Sequence, residues 1–166
     1  MKKILLVSLA LVMALTLVMG SVSTVSAAGS ARASGGGSFI SGSGWDDEPW
    51  DLTYGHSCLF SINAQKTGDN TATGTFQFAD KTSKIIIDGT FSYYFYSETL
   101  FTTTYAGECK ITGNPNIIGT QKFSVDIREG SNRGNYYFQI IAHDLSDRYS
   151  LYAYAGSLNK GNLIIK

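Results

Sequence analysis

From His56 onward the chain alternates apolar and polar residues with a period of two. Cys58, Phe60, Ile62 and Ala64 fall on one side; Ser57, Ser61, Asn63 and Gln65 fall on the other. Successive side chains of an extended chain point to opposite faces, so this pattern predicts a half-buried strand. Residues 66–70, with Gly68, Asp69 and Asn70, predict a turn. A second strand follows around Thr75, Phe76, Gln77 and Phe78. Residues 84–96 then run without a breaker except Gly89, in two partly apolar registers: Ile85, Ile87 and Phe91, or Ile86, Thr90, Tyr94 and Tyr96. A glycine inside such a run predicts a bulge or a bend. The aromatic run 93–96 is apolar on both faces, which places it centrally or against a cavity or contact surface.

Residues 100–111 are rich in Thr and carry Phe101, Tyr105 and Cys109, types that fit a pleated, half-wet surface. Gly113 to Asn116 break the run. Phe123, Val125 and Ile127 share one face of the next strand. Beyond a polar loop at 128–135 comes a strand over 136–142, with either Phe138 and Ile140 or Tyr137 and Ile141 inward. Residues 149–156 and 163–165 predict a closing hairpin around Asn159, Lys160 and Gly161. Nothing past residue 50 shows a 3.6-residue period. The reading is all-β: a single antiparallel β-barrel or β-sandwich of about eight strands. A closed barrel is attractive because it removes edges that pair with other chains.

The N-terminus follows a different pattern. Lys2 and Lys3 precede an apolar run from Ile4 to Met19, and Val25, Ser26 and Ala27 place small residues at a cleavage site. This order predicts a secretory signal peptide over 1–27, in helical form and removed by cutting after Ala27 or Ala28. The apolar run falls short of the roughly 20 residues that a spanning helix needs. Residues 28–49 predict a flexible lead-in, Gly/Ser-rich and then acidic, with a short edge strand near Phe39. The β domain is expected over 50–166. Trp45 to Asp51 interleave two tryptophans with four carboxylates, read as a polar approach to the core because Ca²⁺-loop spacing is absent.

Composition narrows the function. The 166 residues are 43% hydrophobic and 16% charged, with 13 basic against 13 acidic side chains. Such a chain is too apolar for disorder and too neutral to bind nucleic acid by charge. Loss of Lys2 and Lys3 with the signal tips the balance slightly acidic. Exported chains meet oxidising conditions, so Cys58 and Cys109 are expected to bridge, closing a loop worth about 4 kcal/mol in the chain-entropy account. The two cysteines and two histidines lack the spacing of a zinc site, and no motif for a nucleotide or another cofactor is present.

Several short motifs carry a resemblance. They are Phe60 to Ala64, Gly74 to Lys81, Asp126 to Gly134 ahead of Tyr136 to Ile140, and Gly156 to Leu163. Together they resemble small exported prokaryotic β domains, which occur alone or appended after choice-of-anchor modules. The resemblance implies an extracellular accessory or binding domain and carries no catalytic residues. This chain departs from that pattern at Lys81, where the family often has His, and at Ser131 and Asn132, where it often has Pro.

An enzyme is not expected. His56 and His143 are candidate bases, but no Gly-x-Ser-x-Gly elbow occurs. His143 with Asp144 reads as a turn-capping pair, and Asp88, Glu108 and Asp126 suit a solvent face. The expected function is a secreted (extracellular, or periplasmic) non-catalytic binding or structural domain, whose partner would be an extracellular ligand or protein. An alternative is a barrel holding a small apolar or carbohydrate ligand among Tyr94, Tyr96, Tyr105, Tyr152 and Tyr154. A secreted hydrolase is the weaker alternative.

Overall fold

A computed structural model describes residues 32–42, 53–130, 135–146 and 150–166. The signal segment and the Trp45–Asp51 stretch lie outside these residues. The described chain is all-β, with nine strands: β1 (Arg32–Ile40), β2 (Ser57–Lys66), β3 (Ala72–Asp80), β4 (Ile85–Ser97), β5 (Thr102–Thr112), β6 (Thr120–Glu129), β7 (Tyr136–His143), β8 (Ser150–Ser157) and β9 (Lys160–Ile165). Every pairing is antiparallel, in one sheet of order β8-β7-β6-β5-β4-β3-β2-β1-β9.

The sheet curls until its two ends meet. Gly42, just past β1, donates its N–H to the Ala155 carbonyl of β8 at 2.7 Å, and Asn159 donates to Ser38 at 2.8 Å. β8 and β9 therefore run as one bent ribbon past β1, and the architecture is barrel-like. One hydrophobic core fills the inside. β2 keeps the expected alternation, with Cys58, Phe60, Ile62 and Ala64 inward. In β7 it is Phe138 and Ile140 that point in.

Three expectations are corrected here. The glycine-rich stretch is not a loose linker with a short edge strand. Residues 32–40 form a nine-residue strand between β2 and β9. Its glycines serve close approach: a Cβ on Gly35 (φ +137°) would sit 1.9 Å from the Asn162 carbonyl, and one on Gly161 (φ +127°) 2.2 Å from the Gly36 carbonyl. Side chains are excluded on both sides of this seam, so a composition that resembles a linker is the composition the seam requires.

The expected closing hairpin is absent, because β8 pairs with β7 and β9 with β1. Leu158 and Asn159 bend the chain instead of reversing it, their N–H groups going to Tyr136 and Ser38. The bulge in β4 falls between Phe91 and Tyr93, not at Gly89. Gly89 stays in register and makes room for a neighbour, since a Cβ there would lie 2.5 Å from the Phe123 ring.

Candidate functional site

The interior is built of rings. Phe60 and Phe138 stack at a centroid distance of 4.1 Å, Phe76 and Phe123 at 5.5 Å, and Phe76 and Phe138 at 6.0 Å. Phe39, Phe78, Phe91, Tyr105 and Tyr154 complete the packing. Offset and tilted rings at these separations attract beyond the area they bury.

The five tyrosines considered as ligand contacts divide between two ends of the barrel. At one end, Tyr94 and Tyr105 meet edge to face at 5.5 Å, and the Lys66 ammonium lies 5.0 Å above the Tyr94 ring. Tyr96 is partly buried against the same core. The Tyr94 hydroxyl is buried without a hydrogen-bond partner among the described residues. Burial pushes the Tyr94 and Tyr105 phenols above their ordinary value, with Tyr96 adding to the effect on Tyr94 and Tyr94 to that on Tyr105. At the other end, Tyr152 and Tyr154 stack at 6.2 Å. The Tyr152 hydroxyl accepts a bond from Asn114 at 2.8 Å. Tyr94, Tyr105 and Tyr154 thus act as core side chains. Among the described residues, grooves open on the outer surface beside Thr75, Ser92 and Leu59, and none of the five tyrosines lines these three.

The most concentrated polar chemistry lies at the Tyr154 end, centred on Asp80 at the close of β3. Its side chain is fully buried and accepts five hydrogen bonds. His56 Nδ1 donates at 2.6 Å to Oδ2. The N–H groups of Thr82 and Ser83 donate to Oδ1 at 2.8 and 3.2 Å. The Ser83 hydroxyl and the Tyr154 hydroxyl (3.2 Å) also donate to Oδ2. Burial by itself would raise the Asp80 carboxyl. The bonds from His56, Ser83 and Thr82 outweigh it and hold the group below its ordinary range. A carboxylate only accepts, so Nδ1 of His56 carries the hydrogen.

His56 is tied in turn to Ser41, whose hydroxyl accepts its backbone N–H at 2.9 Å and whose own N–H donates to the His56 carbonyl at 3.0 Å. The cluster joins the end of β1, the entry to β2, the β3–β4 turn and β8. A His–carboxylate pair is half of a general-base arrangement. Here the adjacent hydroxyls of Ser83 and Tyr154 bond the carboxylate rather than the imidazole, so the cluster fastens the barrel end. Composition left Asp80 unmarked. The signal was the Asp80-Lys81-Thr82-Ser83 turn, where a side-chain acceptor precedes free backbone donors.

The expected disulfide is absent: Cys58 and Cys109 are free, buried thiols. They sit on β2 and β5, with two strands between them. Three strand spacings span roughly 14 Å along the sheet, against the Cα separation of about 4.4–6.8 Å that a bridge takes. Burial pushes both thiols up to about 12, with the Asp80 charge adding to the effect on Cys58. His143 and Asp144 end β7, and Asp144 accepts the Ser146 hydroxyl at 2.7 Å in the following turn.

Asp88 and Glu108 are exposed on the outer face, as expected of a half-wet sheet. Asp126 lies half-buried there and accepts the Thr104 hydroxyl at 2.6 Å; burial raises its carboxyl, an effect the bond partly offsets. Among the described residues no group of three His, Cys, Asp or Glu gathers to hold a metal. No family model, curated protein or solved structure matches the chain.

Proposed function

We propose that the protein is an exported, non-catalytic β domain that binds a partner through its outer surface. The observation that carries this reading is the ring-filled interior. With Phe60 against Phe138 at 4.1 Å and Phe76 between Phe123 and Phe138, the inside is packed with side chains rather than set out as a chamber. Recognition then falls to the outside, where Tyr93 and Phe95 stand 44% and 48% exposed on β4. Large rings left in water on a sheet face suit contact with a ligand or a protein better than a purely structural role. The Asp80 cluster supports the non-catalytic part, since its carboxylate is saturated by fixed donors. Export rests on the Lys2–Ala27 pattern of a basic start, an apolar run and a small-residue cleavage site.

The test is uptake of an apolar fluorescent dye, anilinonaphthalene sulfonate, by the folded protein and by Phe138→Ala. The natural protein should give no saturable signal. Phe138→Ala removes a ring stacked on Phe60 and Phe76, should lose about 3–5 kcal/mol, and should open a dye-accessible void. Saturable one-to-one uptake by the natural protein would overturn the outward-binding reading in favour of an internal ligand.

A further inference from the structure

We propose that the outer face of β4–β7 carries a carbohydrate-binding groove organised by the β4 bulge. This rests on the outward-binding reading and names its ligand class. The groove, of about 400 Å³, is walled by Ser92, Tyr93, Glu108, Lys122, Ser124 and His143. Three independent features produce it.

The first is the bulge. The β4–β5 register shifts between Phe91 and Tyr93, so Ser92 and Tyr93 are consecutive residues that both face outward. An extra residue of this kind re-aims a side chain and bends the strand locally, and such irregularities collect beside binding sites. It is also why a run apolar on both faces fits here: Tyr94 turns into the core, while Tyr93 and Phe95 turn to solvent.

The second is the floor. Opposite the bulge stand Gly107, paired with Phe91, and Ala106, paired with Tyr93. Ala106 offers only a methyl group and Gly107 no side chain at all, so the floor beside the Tyr93 ring stays low. Phe95, one pleat further along the same face, extends the aromatic surface.

The third is the row of polar groups. Thr90, Glu108, Lys122 and His143 stand in cross-strand register over β4, β5, β6 and β7. One carboxylate acceptor, ammonium and imidazole donors, and two serine hydroxyls face one recess beside one exposed ring. Sugars present the matching chemistry: an apolar C–H face for the ring, and adjacent hydroxyls that donate and accept at once. Nucleic acid matches poorly, because the 13 basic side chains are balanced by 13 acidic ones.

Glu108 also lines a second groove of about 390 Å³, with Thr75, Gln77, Asp88 and Lys110. The two recesses have Glu108 in common and lie side by side on the sheet. A ligand reaching both would be a chain of linked sugar units rather than a single one.

The test is calorimetric titration of the folded protein with chitotetraose, cellotetraose, xylotetraose and tetragalacturonate. The last tells a uronic-acid chain from neutral ones. At least one should bind with a dissociation constant no weaker than about 1 mM. Tyr93→Ala should weaken it roughly tenfold, a loss of about 1.4 kcal/mol, and Glu108→Gln should weaken it several-fold. Ile164→Ala, exposed on β9 and lining neither groove, should leave it unchanged. Melting curves of each variant confirm that it is folded. No binding to any of the four, or binding indifferent to Tyr93→Ala and Glu108→Gln, overturns the groove. Indifferent binding would still leave an outward-binding domain standing, whereas saturable dye uptake by the natural protein defeats that reading alone.

Discussion

Asp80→Asn is the sharpest perturbation the structure offers. The substitution keeps shape and volume but removes the charge and turns one acceptor oxygen into a donor. If the new carbonyl keeps the Thr82 and Ser83 N–H bonds, its NH₂ group faces three donors: His56 Nδ1, the Ser83 hydroxyl and the Tyr154 hydroxyl. Hydrogen bonds to a charged group contribute about 1.5–3 kcal/mol each. The three share one oxygen, and partly exposed His56 can turn toward water, so they do not add. A loss of about 3 kcal/mol is the consistent figure, and in a domain of this size it lowers the melting temperature by roughly 10 °C.

The pH dependence carries its own sign. The folded carboxyl titrates below its ordinary 3.8. Its contribution is therefore complete above the unfolded value of about 3.9 and is lost as pH falls through the lower folded value. Thermal melts of both proteins between pH 7 and pH 2 should show a constant gap down to about pH 4 that then closes. A gap under about 0.5 kcal/mol at pH 7, or one that persists unchanged into strong acid, would refute the account of Asp80 as the fastening of that barrel end.

Two further outcomes are expected. Cys58 and Cys109 should resist alkylation in the native protein at pH 8, because burial holds both thiols up to about 12; both should label on unfolding without reductant, and mass spectrometry before and after denaturation reads this directly. Gly35→Ala should destabilise by more than about 3 kcal/mol, because its Cβ would collide with the Asn162 carbonyl. Gly119→Ala, with positive φ but open space around it, should cost only about 1 kcal/mol, and denaturant melts compare the two.

The alternation of Cys58, Phe60, Ile62 and Ala64 made β2 legible because one face is wet and the other dry. The same held for Phe123, Val125 and Ile127 on β6. β1 was not legible, since strand propensity counts side chains that pack, and this strand is selected for having few. A chain that must pass between two backbones looks the same in composition as one that packs nowhere. The β9 partner was hidden for a related reason: a short gap such as Leu158–Asn159 suits a reversal or a bend, and the register that decides lies over a hundred residues upstream. Of the candidate site, the aromatic run 93–96 was visible but its division between core and solvent was not, because one bulge sets which ring faces which way. The disulfide expectation rested on compartment chemistry, which carries no information about the strands between two cysteines.

The seam between β1 and β9 also governs how this protein reaches its folded form. Ser38 and Lys160 are paired neighbours, yet nearly the whole domain is threaded between them. Closing so long a stretch of chain is entropically slow compared with zipping adjacent hairpins. Strands β2 to β8 have partners near in sequence, whereas β1 remains half-dressed until the last strand arrives. The final, locking contact thus waits on the β9 tail, whatever has paired before it. Clipping that tail would leave a glycine-lined flank bare to whatever extended segment drifts past.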